Sequence, residues 1–132
     1  MELKDKNWKN LTVHLRDWHG VCTRYLPEGK VKESFQSLRS FQGNPEKTVI
    51  HQTNRYTYAE ENIEEKRWDY NQLENSLPDG VYHPEMDSMR TICFESGHAA
   101  WVSKKLQSDS MFGVELFFRY EELRHSVNIV YD

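Results

Sequence analysis

Apolar and polar residues alternate along most of this chain, and turn-forming residues break the alternation every ten positions or so. That is the pattern of half-buried strands joined by tight turns. The strands predicted are Trp18–Leu26, closed by Pro27-Glu28-Gly29; Val31–Gln42, closed by Gly43-Asn44-Pro45; and Lys47–Ala59, closed by Glu60-Glu61-Asn62. Ile63–Leu73 follows, then a loop containing Pro78-Asp79-Gly80 and a short piece, Val81–His83. Met89–Glu95 turns at Ser96-Gly97 into His98–Leu106, and Phe112–Tyr120 and Leu123–Tyr131 are joined by Glu121-Glu122. Only the start of the chain departs from period two. Trp8, Leu11 and Leu15 fall at i, i+3 and i+7, one face of a helix. The expectation is a helical segment over residues 1–16 that closes one end of a single domain spanning 1–132.

Eight strands, or nine with the short piece, and uniformly brief connections leave no room for crossover helices, so neighbours should pair antiparallel. The fold class expected is all-β, an antiparallel up-and-down β-barrel whose closure removes exposed edges; a sandwich is the alternative. Alternation also sorts the faces. Phe112, Val114, Leu116, Phe118 and Tyr120 share one face of their strand, and Leu123, Val127, Ile129 and Tyr131 one face of the next, and these are expected to point inward. In the middle of the chain, Ile50, Gln52, Asn54, Tyr56 and Tyr58 share a face, and Trp68 and Tyr70 lie on the expected partner strand. An interior built from these residues is aromatic and polar, as an amphipathic ligand requires.

Composition narrows the function. The chain has 132 residues, enough for one core without a disulfide or metal. Hydrophobic residues reach only 37%, yet aromatics reach 13%, so the core or pocket should be rich in rings. Basic and acidic residues, 17 and 21, are mixed along the chain for a net charge of −4, with no basic stripe to neutralise phosphates, so nucleic acid is not an expected partner. No segment approaches the roughly twenty apolar residues of a membrane helix, and the first residues have no apolar signal core; a cytoplasmic, soluble protein is expected, with no membrane partner. Cys22 and Cys93 lie in no metal-ligand spacing and are expected to be free thiols.

The segment Asp17-Trp18-His19-Gly20, entering Val21-Cys22-Thr23-Arg24-Tyr25-Leu26-Pro27-Glu28-Gly29, resembles the opening of a lipocalin-like (calycin superfamily) domain of unknown function found mainly in cyanobacteria. Thr48–Tyr56 is similar to that family's third strand. Phe112–Leu116 and Leu123–Asp132 are similar to its closing hairpin. The resemblance implies a calycin-type barrel and a counterpart to the first domain of a two-domain family. A homodimer is expected on that ground, a second copy standing in for the second domain. Superfamily relatives bind bilins, haem, retinoids or fatty acids, and some cyanobacterial ones attach bilins to other proteins; no residue roles carry over.

A Trp at the start of a first barrel strand commonly plugs the closed end beneath a basic side chain. Here Trp18 would be that structural plug and Arg124 or Arg119 the cation across it. No catalytic residues are expected. There is no GxSxG elbow, and both cysteines sit in apolar strand contexts that discourage thiolate formation. No metal site and no cofactor are expected, because His14, His19, His51, His83, His98 and His125 are scattered. Glu60, Glu61, Glu64 and Glu65 cluster at one hairpin and read as a solvated turn. Glu115, within an apolar strand, is expected to face outward; inward, it would need an Arg partner. Arg24, Arg39, Arg55, Arg67 and Arg90 lie in strands, and Arg is the residue that binds a carboxylate bidentately; the ordinary role of each is a cross-strand pair with Glu.

The reading is a non-catalytic binding module for a small apolar or amphipathic ligand of the pigment or lipid class. Its expected ligand contacts are Gln52, Asn54, Tyr56, Tyr58, Trp68, Tyr70 and Trp101. The alternatives are a ligand-free assembly domain with a filled interior, and a bilin-attaching protein. Cavity volume separates the first two.

Overall fold

The computed structural model describes residues 1–131. Helix α1 (Leu3–Leu11) leads through a single 3₁₀ turn (Thr12–His14) into β1 (Asp17–Tyr25), β2 (Val31–Gly43), β3 (Val49–Thr57) and β4 (Ile63–Asn71). A four-residue helix, α2 (Gln72–Asn75), precedes β5 (Ser76–Leu77), β6 (Gly80–His83), β7 (Met86–Cys93), β8 (Ala99–Ser103), β9 (Phe112–Tyr120) and β10 (Leu123–Tyr131). Every paired strand is antiparallel to its neighbour in sequence.

The turns follow from their residues. Asn44 Oδ1 accepts from the backbone N–H groups of Thr48 and Val49 at 2.8 and 3.0 Å, so its side chain closes the β2–β3 turn in place of backbone. Gly97 turns β7 into β8 with φ +92°, and a Cβ there would lie 2.7 Å from Arg119 Cδ, so only glycine fits.

Backbone pairing is not continuous around the molecule. The strands form two sheets, β1-β2-β3-β4 and β5-β6-β7-β8-β9-β10. One break falls where the sequence pattern ran on to Leu73. Asn71 Oδ1 accepts from Leu73 N–H at 3.0 Å and starts α2, ending β4 two residues early. The other lies between β1 and β10, where no backbone bond is made among the described residues. Side chains span it: Arg16 pairs with Glu122, and Arg119 Nη1 donates to the Val13 carbonyl at 2.8 Å. Helix α1 bonds to the β2–β3 turn and to β7 of the second sheet. Trp8 Nε1 donates to the Lys47 carbonyl at 2.7 Å, and Asn10 Nδ2 to the Cys93 carbonyl at 2.9 Å. Its Trp8 and Leu11 join Phe41, Ile50, Tyr70 and Phe117 in the core.

The faces of the last hairpin are the reverse of the expectation. Glu115 and Phe117 are buried, while Leu116, Phe118 and Tyr120 are exposed, as are Leu123, Val127, Ile129 and Tyr131 opposite. Phe112 and Val114, of the same outer row, are only half-buried, and the Phe112 and Tyr131 rings stack 5.0 Å apart. The inner row pairs Glu115 with Asn128, Phe117 with Ser126 and Arg119 with Arg124. Register with β8 sets this choice: Ala99 pairs with Phe117 and Trp101 with Glu115, and both β8 residues face the interior. A side-chain period of two makes the alternative a one-residue slip of β9 that would turn Phe117 out of the core and away from Ala99. Glu115 is thus inward, contrary to the sequence reading.

Candidate functional site

Between the two sheets lies a cavity of about 410 Å³. Its floor is buried and formed by Leu11, His14, Cys93, Ala99 and Phe117; exposed Lys66, Glu85 and Asn128 mark its rim.

The wall from β3 carries Gln52, Asn54 and Tyr56, alternate residues on one face. They form a hydrogen-bonded row. Gln52 Nε2 donates to Asn54 Oδ1 at 3.0 Å, Asn54 Nδ2 donates to Tyr56 Oη at 3.2 Å, and Arg39 Nη2 reaches the same Oη at 3.4 Å. The Tyr56 hydroxyl therefore accepts twice and keeps its own proton to donate. Strand β4 adds Trp68 and Tyr70, which the register places beside Gln52 and Ile50. The Trp68 Nε1–H is buried and has no protein acceptor among the described residues.

His83 is the residue the sequence reading missed. It lies at the centre of the rings, its centroid 4.6 Å from Trp68, 6.1 Å from Tyr70 and 6.4 Å from Trp101. Its Nδ1 accepts from the Glu85 backbone N–H at 3.0 Å, which puts the ring proton on Nε2. Burial lowers its pKa, against a smaller opposing pull from Glu85, so the ring is neutral at pH 7. The signal available was short: Val81 and His83 alternate on one face of a four-residue strand.

Of the seven residues expected as ligand contacts, Gln52, Asn54, Tyr56, Trp68, Tyr70 and Trp101 line the cavity. Tyr58 does not. It lies past the end of β3 and packs on Phe35 at 4.7 Å, with Arg24 above it. Trp18 is half-buried beside the floor, its Nε1 donating to the His14 carbonyl at 3.1 Å. Three guanidiniums surround its ring, Arg16 at 5.0 Å, Arg124 at 5.6 Å and Arg119 at 5.7 Å.

Burial keeps two titratable groups of the floor neutral near pH 7. His14 is held down to about 4, first by burial and then by Arg124 and Arg119, so it is neutral near pH 7. Burial pushes the Cys93 thiol up to about 12, leaving almost no thiolate. In the native protein at mildly alkaline pH, iodoacetamide should label Cys93 far more slowly than half-buried Cys22, and at a comparable rate after unfolding; peptide mass spectrometry reads both, and equal native rates would contradict this assignment. Among the described residues, no group of three or more His, Cys, Asp or Glu side chains could hold a metal ion. Glu60, Glu61, Glu64 and Glu65 lie exposed, with Glu65 held between Arg55 and Arg67 at 2.8 and 2.7 Å. No helix is long and apolar enough to cross a membrane.

Residues 4–132 match the model of a family described as "Domain of unknown function (DUF3598), N-terminal". Among solved structures, the chain is similar to a protein of unknown function from the DUF3598 family of Nostoc punctiforme PCC 73102, with a TM-score of 0.69 and 20% identity. That alignment covers 96% of this chain and 40% of the other, so the chain spans well under half the length of that protein. No curated protein matches.

Proposed function

The chain belongs to the DUF3598 N-terminal domain family, and we propose that it is a binding module whose interior takes a small amphipathic molecule of the pigment or lipid class. One observation carries this reading: a cavity of about 410 Å³ with rings on several walls and a row of hydrogen-bonding side chains along another. Ligand pockets commonly begin at about 300 Å³ and pair an apolar lining with a few placed polar groups. Trp68, His83 and Trp101 offer ring contact; Gln52, Asn54 and the Tyr56 hydroxyl would orient a polar end. We read the two sheets as the halves of an interrupted calycin-type barrel. The strictly sequential strand order supports this, as do the side-chain bridges from Arg16 and Arg119 across the β1–β10 break.

Pyrenebutanol tests the proposal as a neutral amphiphile. It should bind saturably, one per chain, and quench tryptophan emission from Trp68 and Trp101. Ala99 is a buried cavity residue. Ala99→Phe fills space there at a cost of about 1–3 kcal/mol in stability and should weaken binding about tenfold or more. Absence of saturable quenching, or unchanged affinity in folded Ala99→Phe, would refute the binding role.

A further inference from the structure

Charges inside the cavity do not balance. Arg39, Glu115 and Arg124 all line it, two guanidiniums against one carboxylate. Among the described residues no ion pair joins any of them. Every other arginine has an oxygen to bond. Arg16 meets Glu122, Arg24 meets Glu33, Arg55 and Arg67 share Glu65, Arg90 meets Asp79, and Arg119 donates to the Val13 and Glu121 carbonyls. Arg39 makes one long bond, 3.4 Å to Tyr56 Oη. Arg124 donates none among the described residues.

A guanidinium carries five N–H donors, and half-burying Arg39 and Arg124 with so few protein acceptors is costly. Rings attract the Arg124 charge: its Cζ is 4.3 Å from the Phe117 centroid, 5.5 Å from Phe41 and 5.6 Å from Trp18. They supply no oxygen to its N–H groups. Other titratable groups on the floor do not offset the imbalance, since His14 and Cys93 are both neutral near pH 7. Lys66 and Glu85 sit at the exposed rim and oppose each other in sign. Burial, and then the Arg39 charge, brings Arg124 down to about 10, while Glu115 pulls the other way, so Arg124 keeps its proton near pH 7.

We propose that Arg124 and Arg39 form an anion-binding floor, and that the ligand is a carboxylate amphiphile whose head supplies the missing negative charge while its apolar body rests against Trp68, His83 and Trp101. Arginine suits a carboxylate because its planar fork matches the two oxygens. Tyr56 adds a third donor beside Arg39. Glu115 leaves the floor with one unmatched guanidinium in place of two.

This inference rests on the binding role proposed above, and its test separates the two. Pyrenebutyrate and pyrenebutanol share one apolar body and differ in the head. The acid should bind the wild-type protein about tenfold or more tighter, the gain expected of a charge-assisted hydrogen bond. Arg124→Met and Arg39→Met should each weaken the acid far more than the alcohol, so that the gap between the two probes closes. Glu115→Gln removes the competing carboxylate and should tighten the acid about threefold or more; a purely structural arginine pair would give no such gain. Acetate, the head alone, should compete only at far higher concentration. Equal affinity of acid and alcohol, or weaker acid binding in Glu115→Gln, overturns the anion floor and leaves the binding module standing. Failure of both probes to bind removes both. If Arg124→Met does not fold, Arg39→Met and Glu115→Gln decide the question.

Discussion

Acidifying the protein from pH 6.5 to about 4 should cost on the order of 3 kcal/mol of stability through one side chain, His14. In the unfolded chain this imidazole titrates near 6.5; in the folded protein it resists protonation until about 4. Burial is the main reason, and the neighbouring Arg124 and Arg119 charges add to it. Above 6.5 the ring is neutral in both states and stability does not depend on it. Below 6.5 the unfolded chain takes up a proton that the native protein refuses, and the loss grows until the native ring also titrates. His83, lowered by its own burial, acts in the same direction. The measurement is a urea midpoint at about pH 7 and about pH 4.5 for the wild type and for His14→Phe. The ring site, tilted against Trp18 and Phe41 at 6.3 and 6.5 Å, accepts a phenyl group. The variant should lose markedly less stability on acidification. Parallel losses in both proteins would show that His14 is not the group responsible.

Ile50→Ala should remove about 2–5 kcal/mol, since the side chain is 0% exposed and its loss leaves a hole in the core beside Tyr70, near one end of the β3–β4 pairing. Denaturant unfolding should show a lower midpoint with an unchanged slope, the mark of lost stability without a changed denatured state. Leu73→Ala is the control: at 92% exposure in α2 it should change stability by no more than about 0.5 kcal/mol. A loss below about 1 kcal/mol at Ile50 would mean that this layer of the core repacks freely.

Much of the fold could be read from punctuation. Pro27-Glu28-Gly29 and the Asn44 turn end strands by backbone chemistry that needs no tertiary context; Val31, Ile63, Phe112 and Leu123 begin strands where the pattern put them, while β3 begins at Val49, two residues after the expected Lys47. The β3–β4 wall was legible for a related reason. Gln52, Asn54 and Tyr56 alternate beside Trp68 and Tyr70, and rings next to amides suit a cavity wall better than a solvent face. The last hairpin misled because burial was inferred from hydrophobicity. Its outer row, Leu116, Phe118, Val127 and Ile129, is the more apolar one, and its inner row carries Glu115, Arg119 and Arg124. A polar interior inverts the usual rule, and only pairing with β8 tells which row faces in. The breaks between sheets were illegible too. Asn71 capping α2 is a four-residue event, and the Arg16–Glu122 contact joins residues far apart in sequence.

Those two breaks give the molecule the build of a book. Along its spine the chain itself runs from one cover to the other through α2, reinforced by the Asn75 side chain at the Tyr82 carbonyl. Its fore-edge is held by side chains: the solvent-facing Arg16–Glu122 pair, which salt screens, the Arg119 bond to Val13, and the Arg119 and Arg124 guanidiniums over Trp18. Parting the covers there sacrifices no ladder of backbone bonds. On the binding role proposed above, the closed volume is therefore a lower bound on the space a guest could use, and opening at this edge should be easiest at high ionic strength.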